Sequence, residues 1–278
     1  MLICPLCQNP LTLNQKSYRC TNNHSFDIAK EGYVNLHLVQ HKKSKNPGDT
    51  PQAVQARRRF LTSGFYAPLK SAIMDTVKAL SVQTVLDIGC GEGYYTAGLS
   101  EVAERVIGVD IAKSAVQTAS KAYKSQSKQM GGKDNITWVV GTGAMLPVAD
   151  RSVGLCTSFF SPLPAPEMVR VLKNDGYLLV ATPAPRHLYA LREQLFGEVN
   201  LHEPEKFISA LAPDFCLINE QLISSDFYLN NTQIKDLLAM TPYAYKAKAD
   251  RRASLEMMDG LDVGAQFMVY LFKKAPKN

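Results

Sequence analysis

Apolar and polar residues follow two recurring patterns along the chain, one typical of strands and one typical of helices. Short runs rich in β-branched residues predict seven strands. The first begins at residue 85, and the others cover residues 105–110, 135–140, 153–160, 176–182, 215–223 and 266–272. Apolar residues at helical spacing or good helix formers predict helices over residues 51–62, 66–80, 113–123, 165–172, 188–196, 205–211, 231–240 and 250–258.

The order of these elements indicates the fold. Each of the first five strands is followed by a helix, and the last two strands form a late hairpin-like pair. This order predicts an α/β domain with a doubly wound, mostly parallel, seven-stranded Rossmann-like sheet. Ligands of such sheets bind beyond the carboxyl ends of the strands. We therefore expect the functional site in the loops that follow the first five strands.

The stretch from Val85 to Tyr95 passes abruptly from strand-forming residues to three glycines at alternate positions, Gly89, Gly91 and Gly93. Glycine lets the backbone turn tightly and approach a bound molecule. The G-x-G-x-G spacing differs from the G-x-G-x-x-G that presents a pyrophosphate to a helix N-terminus. It therefore favours a nucleoside cofactor without phosphates, and S-adenosylmethionine is the obvious one.

Two carboxylates accompany this glycine turn. Asp87 lies just inside the end of the first strand, and Asp110 ends the second strand. Both carboxylates and the turn glycine Gly89 are predicted cofactor-binding residues. A carboxylate at the second position can accept hydrogen bonds from both ribose hydroxyls. Alternatively, Asp110 caps the helix that begins near Lys113, since Asp is a common cap, and the two roles are compatible.

Three cysteines and a histidine near the N-terminus form the pattern C-x2-C-x12-C-x3-H, with Cys4, Cys7, Cys20 and His24. Three thiolates and one imidazole suit tetrahedral zinc, and four protein ligands leave no position for a catalytic water. We expect a structural zinc ion in a module of residues 1–38, which is too short to bury a core alone. A chance cluster is the alternative. A disulfide framework is the poorer account because the other cysteines are scattered.

The net charge of +6 is unevenly distributed along the chain. Between Lys30 and Phe60 there are seven basic and two acidic residues. Most of the basic residues lie in a predicted linker and helix over residues 39–65, namely Lys42, Lys43, Lys45, Arg57, Arg58 and Arg59. This concentration suggests contacts with a polyanion such as RNA, and a solvated linker and helix face is the alternative.

Targeting features are absent from the sequence pattern. No run of about 18 apolar residues occurs, and the first residues lack the basic-then-apolar order of a signal peptide. We therefore expect a soluble, cytoplasmic protein with no membrane role.

Two loops after predicted strands offer further chemistry. Residues 141–147 are small or apolar and could line an adenine, although core packing explains Met145 equally well. Phe159 and Phe160 precede Ser161 and Pro162 where a methyl acceptor would meet the cofactor, and an aromatic ring there could stack on a base. A buried strand end is the alternative.

Four features follow one another along the chain: the zinc pattern, the basic segment, the 85–95 stretch and residues 181–188. With these features in this order, the chain resembles the large-subunit (23S) ribosomal RNA guanine-N1 methyltransferase family. The resemblance extends over essentially the whole chain. Further matching stretches are residues 26–36, 46–49, 55–58, 65–69 and 240–243.

This resemblance implies a class I methyltransferase domain over residues 66–278 that methylates N1 of a guanine in a stem-loop of 23S ribosomal RNA, with S-adenosylmethionine as methyl donor. It also implies RNA recognition by residues 1–38, one zinc ion on the Cys4 cluster, and a homodimer. The implied cofactor contacts are Tyr66, Gly91, Glu92, Gly93, Tyr94, Tyr95 and His187. No catalytic proton acceptor is identified, since His187 and Asp110 are better explained as cofactor ligands.

Two other functions compete with this one. A small-molecule methyltransferase with an incidental zinc finger is disfavoured by the basic segment. A non-catalytic zinc-ribbon RNA-binding protein is disfavoured by the intact glycine turn and Asp110.

Overall fold

The computed structural model describes residues 1–38, 40, 47–130 and 134–276. Near the N-terminus, three short strands form an antiparallel sheet: β1 (Thr12–Asn14), β2 (Ser17–Arg19) and β3 (Ser25–Asp27). All three residues of β1 are exposed. So small a sheet cannot bury enough apolar surface to be stable by itself, and it depends on the nearby cysteine and histidine side chains and on packing against the rest of the chain.

The large sheet contains the seven predicted strands and one more. Its strands are β4 (Tyr33–Asn35), β5 (Thr84–Ile88), β6 (Arg105–Asp110), β7 (Ile136–Val140), β8 (Val153–Phe159), β9 (Leu172–Pro183), β10 (Phe215–Asn230) and β11 (Gly260–Lys274). Their order is β10-β11-β9-β8-β5-β6-β7-β4. The neighbours from β9 to β4 run parallel, whereas β11 is antiparallel to both β9 and β10. The predicted doubly wound, mostly parallel sheet with a late strand pair is confirmed.

The additional strand, β4, comes from the N-terminal segment and pairs in parallel with β7, with Tyr33 opposite Trp138. The N-terminal segment is therefore joined to the edge of the large sheet by backbone hydrogen bonds. A second connection lies near the first residues, where the Ile3 amide donates to the Pro147 carbonyl at 3.0 Å.

Helices flank this sheet. They are α1 (Pro51–Thr62), α2 (Ala67–Leu80), α3 (Tyr94–Val102), α4 (Lys113–Met130), α5 (Ala165–Val171), α6 (Tyr189–Phe196), α7 (Glu205–Leu211), α8 (Asn231–Met240), α9 (Tyr243–Lys246) and α10 (Ala249–Glu256). The predicted helices are present, and α4 extends beyond the predicted end at Tyr123 to Met130. Its last turns lack apolar periodicity but contain good helix formers such as Lys and Gln. The expectation that each of the first five strands is followed by a helix is wrong for the third, because β7 leads to β8 through a loop over residues 141–152.

Alternate residues of the strands contribute to two cores, one on each face of the sheet, as the period of two requires. Val85 of β5 lies in the core covered by α1, α2, α3, α4, α6 and α8. Leu86 lies in the opposite core, which α5 and α7 share with residues of the zinc-binding segment such as Leu2 and Cys4. The N-terminal module thus covers part of one face of the sheet.

Within the described part of the chain, each helix is too short or too polar to cross a lipid bilayer.

Candidate active site and zinc site

The glycine turn joins β5 to α3, and its three glycines have φ angles of +76° at Gly89, +54° at Gly91 and +85° at Gly93. A Cβ atom on Gly89 would lie 2.5 Å from the Ser161 Cβ, and one on Gly93 would lie 2.6 Å from the Trp138 ring. Both positions therefore require glycine for packing as well as for backbone conformation.

Gly91 differs from the other two glycines because the side of its Cα atom on which a side chain would stand faces open space. Apart from Gly91 and its two chain neighbours, the only heavy atom of the described residues within 4 Å of a Cβ built on Gly91 is Nη1 of Arg57 at 3.9 Å. A ligand can therefore approach the backbone of the turn at this point.

Asp110 holds the turn from the end of β6. One carboxylate oxygen accepts a hydrogen bond from the Gly91 amide at 2.9 Å, and the other accepts from the Ala112 amide at 2.7 Å. Asp110 thus organises the chain just before α4, but the amide that it binds is that of Ala112, which precedes the helix, so this bond is not the N-cap considered from sequence. Each carboxylate oxygen has a second lone pair, so the arrangement also leaves capacity for ribose hydroxyls.

Asp87 is buried beneath the turn, and both of its oxygens are engaged. Oδ2 accepts from the Thr96 hydroxyl at 2.6 Å, and Oδ1 accepts from the Thr157 hydroxyl at 2.8 Å. Burial raises the pKa of this carboxyl to about 6. These bonds tie β5 to α3 and β8 beneath the turn, and a direct cofactor contact from Asp87 stays a prediction.

Glu92 lies in the turn with a buried side chain, and burial raises its pKa to about 7. Its Oε2 atom lies 4.0 Å from Nη1 of Arg57 and has no hydrogen-bond partner among the described residues. The hydroxyl of Tyr95 is likewise buried without such a partner. Unpartnered buried polar atoms beside an open glycine face fit a site that receives a polar ligand.

An aromatic wall lies beyond the turn, at the end of β9 and beside the middle of β11. The buried ring of Tyr66 packs against Phe267 with centroids 4.7 Å apart and lies 6.3 Å from the ring of His187. Nδ1 of His187 donates to the Gln266 carbonyl at 2.8 Å, because a carbonyl can only accept. Burial lowers the pKa of His187 to about 3, so the ring is neutral and Nε2 keeps a lone pair as an acceptor.

Phe160 follows β8 and has a φ angle of +58°, which is uncommon for a bulky side chain. Its ring is 44% exposed and lies 5.7 Å from the ring of Phe267. Phe160 thus combines a strained backbone with an exposed aromatic ring beside a wall of buried aromatic rings. Such strain is typical of a functional position. The buried strand end considered from sequence describes Phe159 but not Phe160.

The loop after β7 closes another side of the site. The Gly141 amide donates to the Asp110 carbonyl at 2.9 Å, and the partly exposed Met145 follows. The loop ends at Pro147, the residue whose carbonyl accepts from Ile3 of the zinc-binding segment. The zinc module therefore supports the loop predicted to line the adenine.

The zinc ligand atoms of Cys4, Cys7, Cys20 and His24 all lie within 4.8 Å of one another. Nδ1 of His24 is 3.4 Å from both the Cys4 and Cys20 sulfurs, and the sulfurs of Cys7 and Cys20 are 3.7 Å apart. A tetrahedron with zinc–sulfur bonds of about 2.3 Å has sulfur–sulfur edges of about 3.8 Å. The residues present therefore fit one tetrahedral zinc ion with no open position.

The three consecutive arginines of α1 have different surroundings. Arg57 lies against Asp49 and Glu92 at the glycine turn, and Arg59 pairs with Asp236 of α8. The guanidinium of Arg58 has no ion-pair partner among the residues that the structure describes. The predicted RNA contacts Lys42, Lys43 and Lys45 lie outside the described residues.

Two protein families match this chain in consecutive regions. The family described as "RlmA, N-terminal" matches residues 2–45, and the family described as "Methyltransferase domain" matches residues 86–180. A "23S rRNA (guanine(748)-N(1))-methyltransferase" from Streptomyces fradiae is 32% identical over 259 residues, with 91% of this chain and 88% of the relative covered. The chain belongs to the 23S rRNA guanine-N1 methyltransferase family.

Other similarities extend this assignment to the family. The relative YxjB of Bacillus subtilis (strain 168) is 31% identical over 281 residues, with 95% of this chain and 93% of the relative covered. The crystal structure of the YcgJ protein from Bacillus subtilis covers 75% of this chain and 98% of its own, with 18% identity and a TM-score of 0.52. That structure shows the class I methyltransferase fold for this chain. The match to the methyltransferase domain family implies S-adenosylmethionine as the cofactor, as predicted.

Sequence reasoning missed how Asp49 and Arg57 come together with Glu92. Asp49 was part of a matching stretch, and Arg57 was one of three identical neighbours, so the sequence pattern distinguished neither. The strained backbone at Phe160 was also missed, because Phe gives no local signal for a positive φ angle.

Proposed function

We propose that this protein transfers a methyl group from S-adenosylmethionine to N1 of a guanine in a stem-loop of 23S ribosomal RNA. The observation that carries the proposal is the similarity to a relative named for this reaction, which extends over nine-tenths of the chain. The geometry supports it, because the open face at Gly91 and the exposed ring of Phe160 lie at the same end of the sheet.

When bound, S-adenosylmethionine supplies a methyl group on a positively charged sulfur, which is a good leaving group. Asp110 orients the nucleoside end through its free lone pairs, while its bond to the Gly91 amide keeps the turn in place. The buried rings of Tyr66 and Phe267 exclude water from the cleft. Alignment and desolvation are the chief contributions that a protein makes to such a transfer.

Guanine N1 carries a proton and lies on the Watson–Crick edge, so the base must be unpaired and placed in the cleft. The exposed ring of Phe160 provides a surface on which the base can stack. His187 acts as a hydrogen-bond acceptor through Nε2 rather than as the base that removes the N1 proton, because its lowered pKa of about 3 makes it a weak base.

RNA recognition is shared by two regions in this proposal. Residues 1–38 form the zinc-binding recognition module, residues 39–65 form the basic linker and helix, and residues 66–278 form the methyltransferase domain. The pairing of β4 with β7 supports this arrangement, because it gives the module a constant position relative to the cleft. Lys42, Lys43, Lys45 and Arg58 are proposed to contact phosphates. For Arg57 and Arg59, the partners within the protein argue against that role.

A homodimer and a cytoplasmic location complete the proposal, the latter because bacterial ribosomal RNA is in the cytoplasm. Analytical ultracentrifugation of the purified protein at micromolar concentration tests the homodimer, which is refuted if the mass corresponds to one chain throughout.

Reverse transcription tests the reaction directly. Purified protein is incubated with 23S ribosomal RNA and S-adenosylmethionine, and the RNA is then copied by reverse transcriptase. A methyl group on N1 blocks base pairing, so we expect a stop beside one guanine in a stem-loop. An Asp110→Ala variant serves as control and should give no stop. Methyl transfer to small molecules without any RNA product would support the competing small-molecule function and overturn the proposal.

A further inference from the structure

Arg57 is held at the glycine turn by three separate segments of the chain. Nη1 lies 2.5 Å from Oδ2 of Asp49, which precedes α1, and 4.0 Å from Oε2 of Glu92 in the turn. Nη2 donates to the Met240 carbonyl at the end of α8, at 3.2 Å. The guanidinium therefore has a defined position and is not a mobile surface group.

The charges around Arg57 are incompletely matched. Its side chain is 26% exposed and the side chain of Glu92 is 5% exposed, yet their nearest atoms stay beyond hydrogen-bond distance. Oε2 of Glu92 is the buried oxygen without a hydrogen-bond partner. A buried carboxylate oxygen in this state is destabilising unless a ligand supplies a donor.

The position of this cluster relative to the turn indicates which ligand group it meets. Nη1 of Arg57 lies 3.9 Å from a Cβ built on the open side of Gly91, and Asp110 contacts the amide of the same residue. A nucleoside held by Asp110 therefore directs its other end along the turn toward Arg57 and Glu92. In S-adenosylmethionine that other end is an α-amino acid, with one carboxylate and one ammonium group.

We propose that Arg57 and Glu92 form the binding site for the α-amino-acid end of the cofactor, with the Arg57 guanidinium donating to the carboxylate and Glu92 Oε2 accepting from the ammonium. Asp49 keeps the guanidinium in place and balances its charge. The inference rests on the proposed use of S-adenosylmethionine and adds the residues that recognise its zwitterionic end. Arg57 is then a cofactor-binding residue on a helix whose next residue, Arg58, has no ion-pair partner among the described residues.

Two ligands that share the nucleoside separate this role from a general structural one. S-adenosylhomocysteine has the α-amino-acid end, whereas 5′-methylthioadenosine lacks it. Both are titrated by calorimetry into the full-length protein without RNA. For Arg57→Gln we expect the affinity for S-adenosylhomocysteine to fall about ten-fold to a hundred-fold, as for other hydrogen bonds between charged groups. The affinity for 5′-methylthioadenosine should stay as in the wild type.

Arg58→Gln is the matched control, because it removes the same charge from the adjacent residue of α1. It should bind both ligands like the wild type. Arg57→Lys should recover part of the lost affinity, since it restores the cation without the planar fork. Glu92→Gln should also lower the affinity for S-adenosylhomocysteine more than the affinity for 5′-methylthioadenosine.

Each outcome supports or overturns the inference. Equal losses for both ligands in Arg57→Gln, or no loss for either, would overturn it. If Arg57→Gln does not fold, Arg57→Lys takes its place. A loss of affinity for S-adenosylhomocysteine alone then supports the inference, and equal losses for both ligands, or no loss, overturn it. If the wild-type protein binds neither ligand, the proposed function itself fails, and this result is distinct from a failure confined to Arg57.

Discussion

The guanidinium of Arg59 donates two hydrogen bonds to the carboxylate of Asp236, from Nε to Oδ2 at 2.9 Å and from Nη2 to Oδ1 at 2.5 Å. This pair joins α1 to α8, and the Met240 carbonyl at the end of α8 also accepts from Arg57. The basic helix is therefore docked on the methyltransferase domain through two of its three arginines.

A double-mutant cycle of Arg59→Gln and Asp236→Asn measures this connection. The side chain of Arg59 is 60% exposed and that of Asp236 is 11% exposed, so solvent screens the pair in part. We expect a coupling free energy of about 1 kcal/mol in urea unfolding, because the bond geometry is bidentate. Additive effects of the two substitutions would show that the pair does not contribute to docking.

Arg58 is the arginine of α1 expected to contact RNA. Removing the charge of one side chain that contacts a phosphate should lower the affinity for all RNAs. It should also reduce the slope of log affinity against log salt concentration by about one unit. We therefore expect this change for Arg58→Gln in filter-binding measurements across a salt series. Arg59→Gln is the matched control, since its guanidinium is engaged by Asp236, and it should keep the wild-type slope. Identical slopes for the two variants would refute the assignment.

Zinc binding is tested with two cysteine variants. Cys20→Ser removes one of four ligands and should reduce the zinc content from one ion per chain to none by elemental analysis. RNA methylation should be lost, whereas S-adenosylhomocysteine binding should persist, because the glycine turn and Asp110 belong to β5, β6 and α3. Cys216→Ser changes an exposed cysteine outside the cluster and should keep the zinc. A zinc-free wild-type protein purified without chelator would contradict the prediction.

Phe160 permits a test that separates strain from function. Glycine adopts a φ angle of +58° without strain. Phe160→Gly should therefore relieve the backbone strain at this position, which adds about 1 kcal/mol to the free energy of unfolding. RNA methylation should nevertheless fall by at least about ten-fold, because stacking on an aromatic ring contributes roughly 1–3 kcal/mol per base. Calorimetry should show unchanged S-adenosylhomocysteine affinity. Wild-type methylation by this variant would exclude stacking on Phe160.

Glu92 should make the stability of the ligand-free protein depend on pH. Burial raises its pKa from 4.5 to about 7, while Arg57 opposes the shift and Asp110 and Asp49 add to it. Between these values the folded state retains a proton that the unfolded state releases, so the unfolding free energy decreases as the pH rises.

Urea unfolding at pH 5 and pH 8 measures this decrease. In Glu92→Gln the decrease should be smaller, by on the order of 2 kcal/mol, because the titrating carboxyl is absent. Asp87 provides an internal reference, since its own raised pKa of about 6 remains in the variant. An unchanged pH dependence would show that Glu92 does not titrate in this range.

Features that depend on local patterns can be predicted from the amino-acid sequence alone. The period of two in β5 and β6, the helical spacing in α2, and the glycines between β5 and α3 each act through neighbouring residues. The zinc ligands could be identified for the same reason, since the spacing of Cys4 to Cys7 and of Cys20 to His24 itself brings each pair together. These local rules account for the fold class and for most of the glycine turn.

Features that depend on contacts between distant residues become visible only in the folded protein. Tyr33 pairs with Trp138 across about a hundred residues, and no local pattern selects that partner among the strands. Arg57, Arg58 and Arg59 are equivalent in sequence, yet successive residues of a helix point about 100° apart. The packing of α1 against the glycine turn and α8 therefore directs Arg57 to Glu92, Arg59 to Asp236, and leaves Arg58 without an ion-pair partner among the described residues.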